Sequence, residues 1–109
     1  MTDTRIGELR QRMRLEVAVR TPDGAGGADE TWSLVAELWA SLKPLSGQEG
    51  LEADRVAGHV THEVVVRYRA GMVPAMRLVL GTRVFDIRAV LDVDERRRFL
   101  RCLVEERDI

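Results

Sequence analysis

Apolar and polar residues alternate with a period of two in six separate stretches of this chain, which is the pattern of strands with one face buried. In the first, Met13, Leu15, Val17 and Val19 alternate with Arg14, Glu16, Ala18 and Arg20. The second runs from Thr31 to Leu42 and puts Trp32, Leu34, Ala36, Leu38, Ala40 and Leu42 on one parity, a continuously apolar face that the pattern assigns to the core. Val35 and Trp39 share the other parity with Ser33, Glu37 and Ser41, so Trp39 should point outward and need cover from a neighbouring subunit or from the segment that follows. Ala, Leu and Glu in this run also suit a helix, but the tryptophans, the parity match and Pro44 at its end favour a strand. The third stretch, Val60 to Arg69, aligns Val60, His62, Val64, Val66 and Tyr68. The fourth alternates Met76, Leu78 and Leu80 with Arg77 and Val79, and Gly81-Thr82 is a tight hairpin signal. In the fifth, Arg83 to Val93, the pattern directs Phe85, Ile87, Ala89, Leu91 and Val93 inward and Asp86, Arg88 and Asp92 outward. After a turn at Asp94 to Arg97, the sixth stretch from Phe99 to Val104 is apolar on both sides at its centre. The polar tail from Glu105 to Ile109 reads as frayed.

Three segments break the alternation. Residues 1–12 read as an N-terminal arm or short helix. Ile6, Leu9 and Met13 fall at helical spacing and Asp3 or Thr4 could cap the start, although Gly7 weakens so short a helix. Thr21 to Glu30 is a loop with turn chemistry at Pro22-Asp23-Gly24. Its glycines could in principle cradle a phosphate, but no Lys-Ser/Thr follows and the next element is a strand, so a long hairpin is the expectation. Ser46 to Gly58 has only Leu51 and Val56 as large apolar residues. Ser46 and Glu49 have the spacing of a capping box, and a helix from about Gln48 to Ala57 could stop at Gly58. A helix with so thin an apolar face is marginal alone, so this insertion is expected to lie outside the core, as a segment that can order against a partner. The fold class is therefore all-β: a small antiparallel six-stranded β-barrel or sandwich in one domain over residues 1–109, with a long loop or short helix between strands 2 and 3.

Composition narrows the function. The chain has 109 residues, 45% hydrophobic and 32% charged, which is an ordinary globular balance rather than a disordered one. Lys+Arg of 17 against Asp+Glu of 18 gives a formal net charge of -1, which argues against nucleic-acid binding by bulk electrostatics. Lys43 is the only lysine, and arginine is favoured at interfaces, though a GC-rich genome would give the same bias. Cys102, the lone cysteine, excludes an intrachain disulfide and sits among apolar residues as a buried small hydrophobe. Met1-Thr2-Asp3-Thr4 has neither the basic nor the apolar region of a signal peptide, and no apolar run approaches the ~20 residues needed to span a bilayer. The expected setting is a reducing, cytoplasm-like one without a membrane.

No catalytic constellation is evident, so no catalytic site, metal site or cofactor is expected. His59 and His62 are three apart, which on a strand puts them on opposite faces, so packed or interface histidines are expected rather than metal ligands. Asp92, Asp94 and Glu95 could bind a divalent ion or act as acid and base, but a turn whose acids pair with Arg96, Arg97 and Arg98 explains them more simply. Arg67-Tyr68-Arg69 could face a nucleic-acid backbone; a surface ladder pairing with Glu63 or with an adjacent subunit is the preferred reading.

The order of features resembles the phage head-tail joining family, the head-tail adaptor or head closure (stopper) proteins of phages, prophages and gene transfer agents. Carrying the resemblance are Ile6-Gly7-Glu8-Leu9-Arg10, Glu30-Thr31-Trp32, Val35-Ala36 with Trp39-Ala40, and Pro44-Leu45-Ser46-Gly47 with Glu49 and then Ala53. Thr61-His62, Arg67-Tyr68-Arg69, Met76-Arg77, Phe85-Asp86-Ile87, Asp92-Val93-Asp94-Glu95 and Glu105-Glu106 continue it to the end of the chain. No single motif is specific; the ordered set is. The resemblance implies a structural, non-enzymatic protein of the virion neck, assembled in the bacterial cytoplasm as a ring of six or twelve copies. Its implied partners are further copies of itself, a portal or adaptor protein, a tail terminator or tail tube protein, and packaged DNA touched without sequence recognition. It further implies that the long loop projects into the channel, which casts Ser46, Gly47, Gln48, Glu49, Leu51, Glu52, Asp54 and Arg55 as channel-loop residues. Trp39, Arg67, Arg69, Arg96 and Arg97 are the expected subunit or partner interface. The alternatives are a terminator-like tail-completion ring and a small nucleic-acid-binding β-barrel module.

Overall fold

The computed structural model describes residues 9–107. Six strands and one helix follow in order: β1 Gln11–Pro22, β2 Ala28–Pro44, α1 Gly47–Ala57, β3 His62–Arg67, β4 Arg77–Leu80, β5 Arg83–Asp92 and β6 Phe99–Glu106. All neighbours pair antiparallel in the circular order β1-β2-β3-β6-β5-β4, and β4 returns to β1 through Arg14↔Val79 to Glu16↔Arg77, closing a barrel. The expected helix therefore does not reach Met13, because Gln11 to Met13 already pair with β2 as strand. Its first part, residues 1–8, lies outside the described residues. At the other end Glu105 and Glu106 belong to β6, and the Arg107 N–H donates to the Val84 carbonyl at 2.8 Å. That stretch is held in the sheet, contrary to the frayed tail expected; residues 108–109 lie outside the description.

The barrel interior is filled by the inward parity of each strand. Phe85, Met13, Leu15, Leu78, Val64, Val66, Val104 and Cys102 are almost fully enclosed. Each such side chain contributes about 1.5–3 kcal/mol by leaving water. Burial also pushes the Cys102 thiol up to about 12, so it sits in the wall as an inert thiol. His62 closes one end of this core, its ring edge-on to Phe85 at 5.4 Å.

Two irregularities reverse the parity that simple alternation predicts. In β5 the pairing with β6 jumps from Ile87↔Val104 to Ala89↔Leu103, leaving Arg88 as an extra residue. A β-bulge of this kind turns the following side chains to the opposite face. Val90 thus joins the core, Ala89 packs on the outside, and Leu91 is exposed rather than inward. In β2 the pairing jumps from Leu15↔Ala36 to Glu16↔Leu34 around Val35. Ala40 is fully buried and Leu38 and Leu42 pack on the core, but Trp32 and Leu34 fall outside it. The continuous apolar core face expected for β2 is therefore confined to its second half.

The β1–β2 hairpin is longer than the barrel needs. β3 pairs with β2 only from Ala40 to Pro44, and β4 pairs with β1 only from Arg14 to Glu16. Beyond those points the two strands continue together to the turn at residues 23–27, forming a two-stranded arm. The turn is organised by Asp23, whose carboxylate accepts from the N–H groups of Ala25 at 2.8 Å and Gly27 at 3.2 Å. The molecule's extents of 50 × 27 × 26 Å reflect this elongation.

Candidate functional site

The segment between β2 and β3 is an ordered helix seated on the barrel's own outer wall. Its Ala53 is buried with Val60 and Leu103, and Leu45, Ala57 and Ala89 pack around them. This second small core exists because the bulge at Arg88 turns Ala89 outward and because β6 is apolar on both faces. The insertion takes the short-helix form of the two expected, Gly47–Ala57. Its start is not the expected capping box: the Ser46 side chain makes no capping bond, and Glu49 instead pairs with Lys43 at 2.7 Å. Its end is fixed twice. Gly58, at φ 81 where only glycine is unstrained, donates its N–H to the Asp54 carbonyl at 2.9 Å. The Asp54 carboxylate accepts from the Val60 N–H at 3.0 Å. Asp54 is thus a clamp on the helix end.

The remaining predicted insertion residues divide cleanly. Gln48 and Glu52 bond each other across one helical turn at 3.1 Å. Leu51, Glu52 and Arg55 are exposed, as is Val56, which sequence reasoning did not single out as a site residue. Glu49, Glu52, Val56, Leu91 and Arg101 rim a shallow cleft of about 200 Å³ floored by Ala53 and Leu103. Ser46 to Gly58 carries Glu49, Glu52 and Asp54 against Arg55 alone, an acidic balance.

A second region lies where β3 ends. Ala40 of β2 pairs with Val66, and the register carried one step on brings Arg67 beside Trp39. There the chain leaves the sheet, with the Tyr68 N–H donating to the Arg98 carbonyl at 2.9 Å. Arg67 pairs with Phe99 across to β6. The end of β3 and the turn before β6 thus bring Arg67, Arg69, Arg96, Arg97 and Arg98 to one rim, all exposed. Trp39 stands at the foot of the arm, 56% exposed, with the Arg12 guanidinium against its ring at 5.9 Å. The structure puts Arg67 and Arg69 at the end of β3, beside the turn that carries Arg96 and Arg97, with Trp39 on β2 one position beyond the last β2–β3 pair. It adds Val35 and the bare edge of β2, which periodicity cannot reveal because it reports faces and not neighbours.

The charge pairing at this rim differs from expectation. Glu63 is taken by Arg101 at 2.7 Å, so it does not serve Arg67 or Arg69. Asp92 accepts from the backbone N–H of Arg97 at 3.1 Å and 3.3 Å rather than from a guanidinium, which pins a tight turn with Asp94, Glu95 and Arg97 at positive φ. Among the described residues the five rim guanidiniums make no ion pair. The wall arginines behave oppositely. Arg77 pairs with the buried Glu16 at 2.8 Å and stacks on Trp32 at 4.1 Å. Arg83 holds Glu106 at 2.8 Å and lowers its carboxyl pKa, and Arg88 pairs with Glu105. Arg107 bonds Asp86 at 2.9 Å and also lies over Trp32.

The histidines sit apart in role. His59 is exposed beside Glu105 at 3.5 Å, while His62 is half-buried and its Nδ1 meets the Thr61 hydroxyl at 2.8 Å. Among the described residues no three His, Cys, Asp or Glu side chains converge as a metal site, and no helix is long and apolar enough to cross a membrane.

A barrel with an outer helix, a projecting arm and an unpaired basic rim is the geometry of an assembly module. The model of the phage head completion protein family matches residues 4–107, so the chain belongs to that family. Its role is accordingly structural, in completing the virion head. Two solved structures are similar. One is the solution structure of protein SF1141 from Shigella flexneri 2a, 29% identical, with a TM-score of 0.76 over 94% of this chain and 96% of that one. The other is a chain from the virion of a native gene transfer agent particle, also 29% identical, with a TM-score of 0.63 over 90% of this chain and 94% of that one. No sequence among curated proteins matches.

Proposed function

We propose that the protein forms a ring in the virion neck, between the portal or adaptor and the tail terminator or tail tube, with the 46–58 insertion bordering the DNA channel. The observation that carries this reading is the family match over nearly the whole chain, residues 4–107. The similar chain in a gene transfer agent virion supports it. So does the apolar surface that a lone copy leaves in water: Leu34 and Trp39 are each 56% exposed on the same strand. The acidic balance of α1 suits a channel wall, since it repels phosphate and lets DNA pass instead of holding it. Assembly takes place in the bacterial cytoplasm, and DNA is contacted without sequence recognition.

The test is removal of Gln48 to Ala57, with a short glycine bridge in its place. The Leu45 N–H already bonds the Thr61 carbonyl at 3.0 Å, so the two ends of the insertion meet on the barrel and the bridge need span little. The expected outcome is a folded barrel that enters particles whose heads lose packaged DNA. Full DNA retention in particles containing the shortened protein would remove the channel role from α1.

A further inference from the structure

Beside the corner where β3 leaves the sheet, β2 has an uncovered edge from Ala28 to Trp39, because its outer neighbour stops at Ala40↔Val66. An exposed edge of that length is a template for pairing with another chain unless something covers it. Within the arm the edge carries Val35 and Leu34, both exposed, and Trp39 closes its lower end. At the same end stand the arginines of the β3 terminus and the β5–β6 turn, without acidic partners among the described residues. The corner therefore offers backbone pairing, apolar side chains and positive charge together. It calls for an extended, partly apolar segment with acids at its tip.

This chain contains such a segment. Residues 22–30, the end of the arm, hold Asp23, Asp29 and Glu30 and no basic residue. The strand leading into them, β1, exposes Val17 and Val19 and has its own free edge beyond Glu16. Tip and corner cannot meet within one molecule. Eleven residue steps separate Ala28 from Trp39, a span of roughly 36 Å at the rise of an extended chain. Between copies the arm is free to reach a neighbour, because it projects clear of its own barrel. The arm stands about 20 Å beyond the last β1–β4 pair by the same rise, against a barrel 26–27 Å across.

We infer that the acidic arm tip of one copy docks into the Trp39–Arg67–Arg69 corner of the next, alongside the bare edge of β2. Two different surfaces meet in this contact, so it is heterologous, and repeated copies close into a ring when the rotation permits. The inference rests on the ring reading above and specifies its interface.

The experiment exchanges charge across the contact in the full chain: Asp29→Arg with Glu30→Arg at the tip, and Arg67→Glu with Arg69→Glu at the corner. All four positions are exposed, and unchanged thermal unfolding of each variant verifies its fold. Each half-exchange should lower incorporation into particles at least 10-fold, and the combined exchange should restore it to within about 3-fold of wild type. Normal incorporation of both half-exchanges overturns the docking inference while leaving the ring reading intact. Failure of the wild-type chain to enter particles overturns the ring reading itself. A corner exchange that weakens DNA retention, with incorporation unchanged, assigns the corner to DNA and also overturns the inference.

Discussion

At the scale of single residues, the chain separates the side chains that hold it together from those it leaves available. Arg77, Arg83, Arg101 and Arg107 each find a carboxylate on a neighbouring strand, whereas Arg67, Arg69 and Arg96 to Arg98 do not. Exposed pairs of the first kind are worth only tenths of a kcal/mol to about 1 kcal/mol each, so their value is in fixing register. His62 makes a testable contribution. Burial lowers its pKa first of all, Arg83 adds to that effect, and Glu106 opposes it. The fold therefore prefers the neutral ring, and the unfolded chain takes up a proton more readily. The resulting stability is complete above the unfolded value of about 6.5 and is lost as pH falls through the lower folded value. Melting temperature should accordingly decline between pH 7.5 and 5.5 in the wild type, and His62→Gln should flatten the decline. Equal slopes for the two proteins would refute this account.

Among elements, the helix and the strands were not equally readable. All six strands show in the sequence because a barrel wall with one buried face writes period two directly into the chain. Both bulges are invisible there, since Val35 and Arg88 are ordinary strand residues and an extra residue leaves no compositional mark. Their effect is large: Leu34 and Leu91 read as core and lie outside it, and Ala89 becomes part of the seat for α1. That seat is why a helix with so few large apolar residues is ordered. Its contact is made by small residues, Ala53 and Ala57, whose fit against Leu103 and Val60 no hydropathy pattern records. Replacing Ala53 with Asp should bury a charge beneath the helix and undock it, at a cost of about 1–3 kcal/mol in unfolding free energy. Urea denaturation gives the magnitude, and amide exchange locates it. Loss of protection should be confined to residues 47–57, and global unfolding would mean that the helix belongs to the cooperative core.

For the molecule as a whole, the candidate surface was legible in kind but not in arrangement. Parity put Trp39 on the outside, and the chain order grouped the arginines in two short runs. The sheet closure that brings those runs together at the foot of the arm requires long-range pairing between β3 and β6. Because Trp39 contributes little to the core, Trp39→Ala should leave monomer unfolding within about 0.5–1 kcal/mol of wild type. Incorporation into particles should fall much further. A large loss of monomer stability with normal incorporation would make Trp39 a folding residue instead. The meeting of Leu45 and Thr61 has a last consequence. The barrel is already complete across that junction, so whatever is spliced between the two residues behaves as an exchangeable cassette. Lengthening such a splice costs only about 0.6 kcal/mol per doubling once its ends are held together. Related chains can therefore vary the piece inserted there while keeping the same wall, provided each new insert shields Val60 and Leu103 from water.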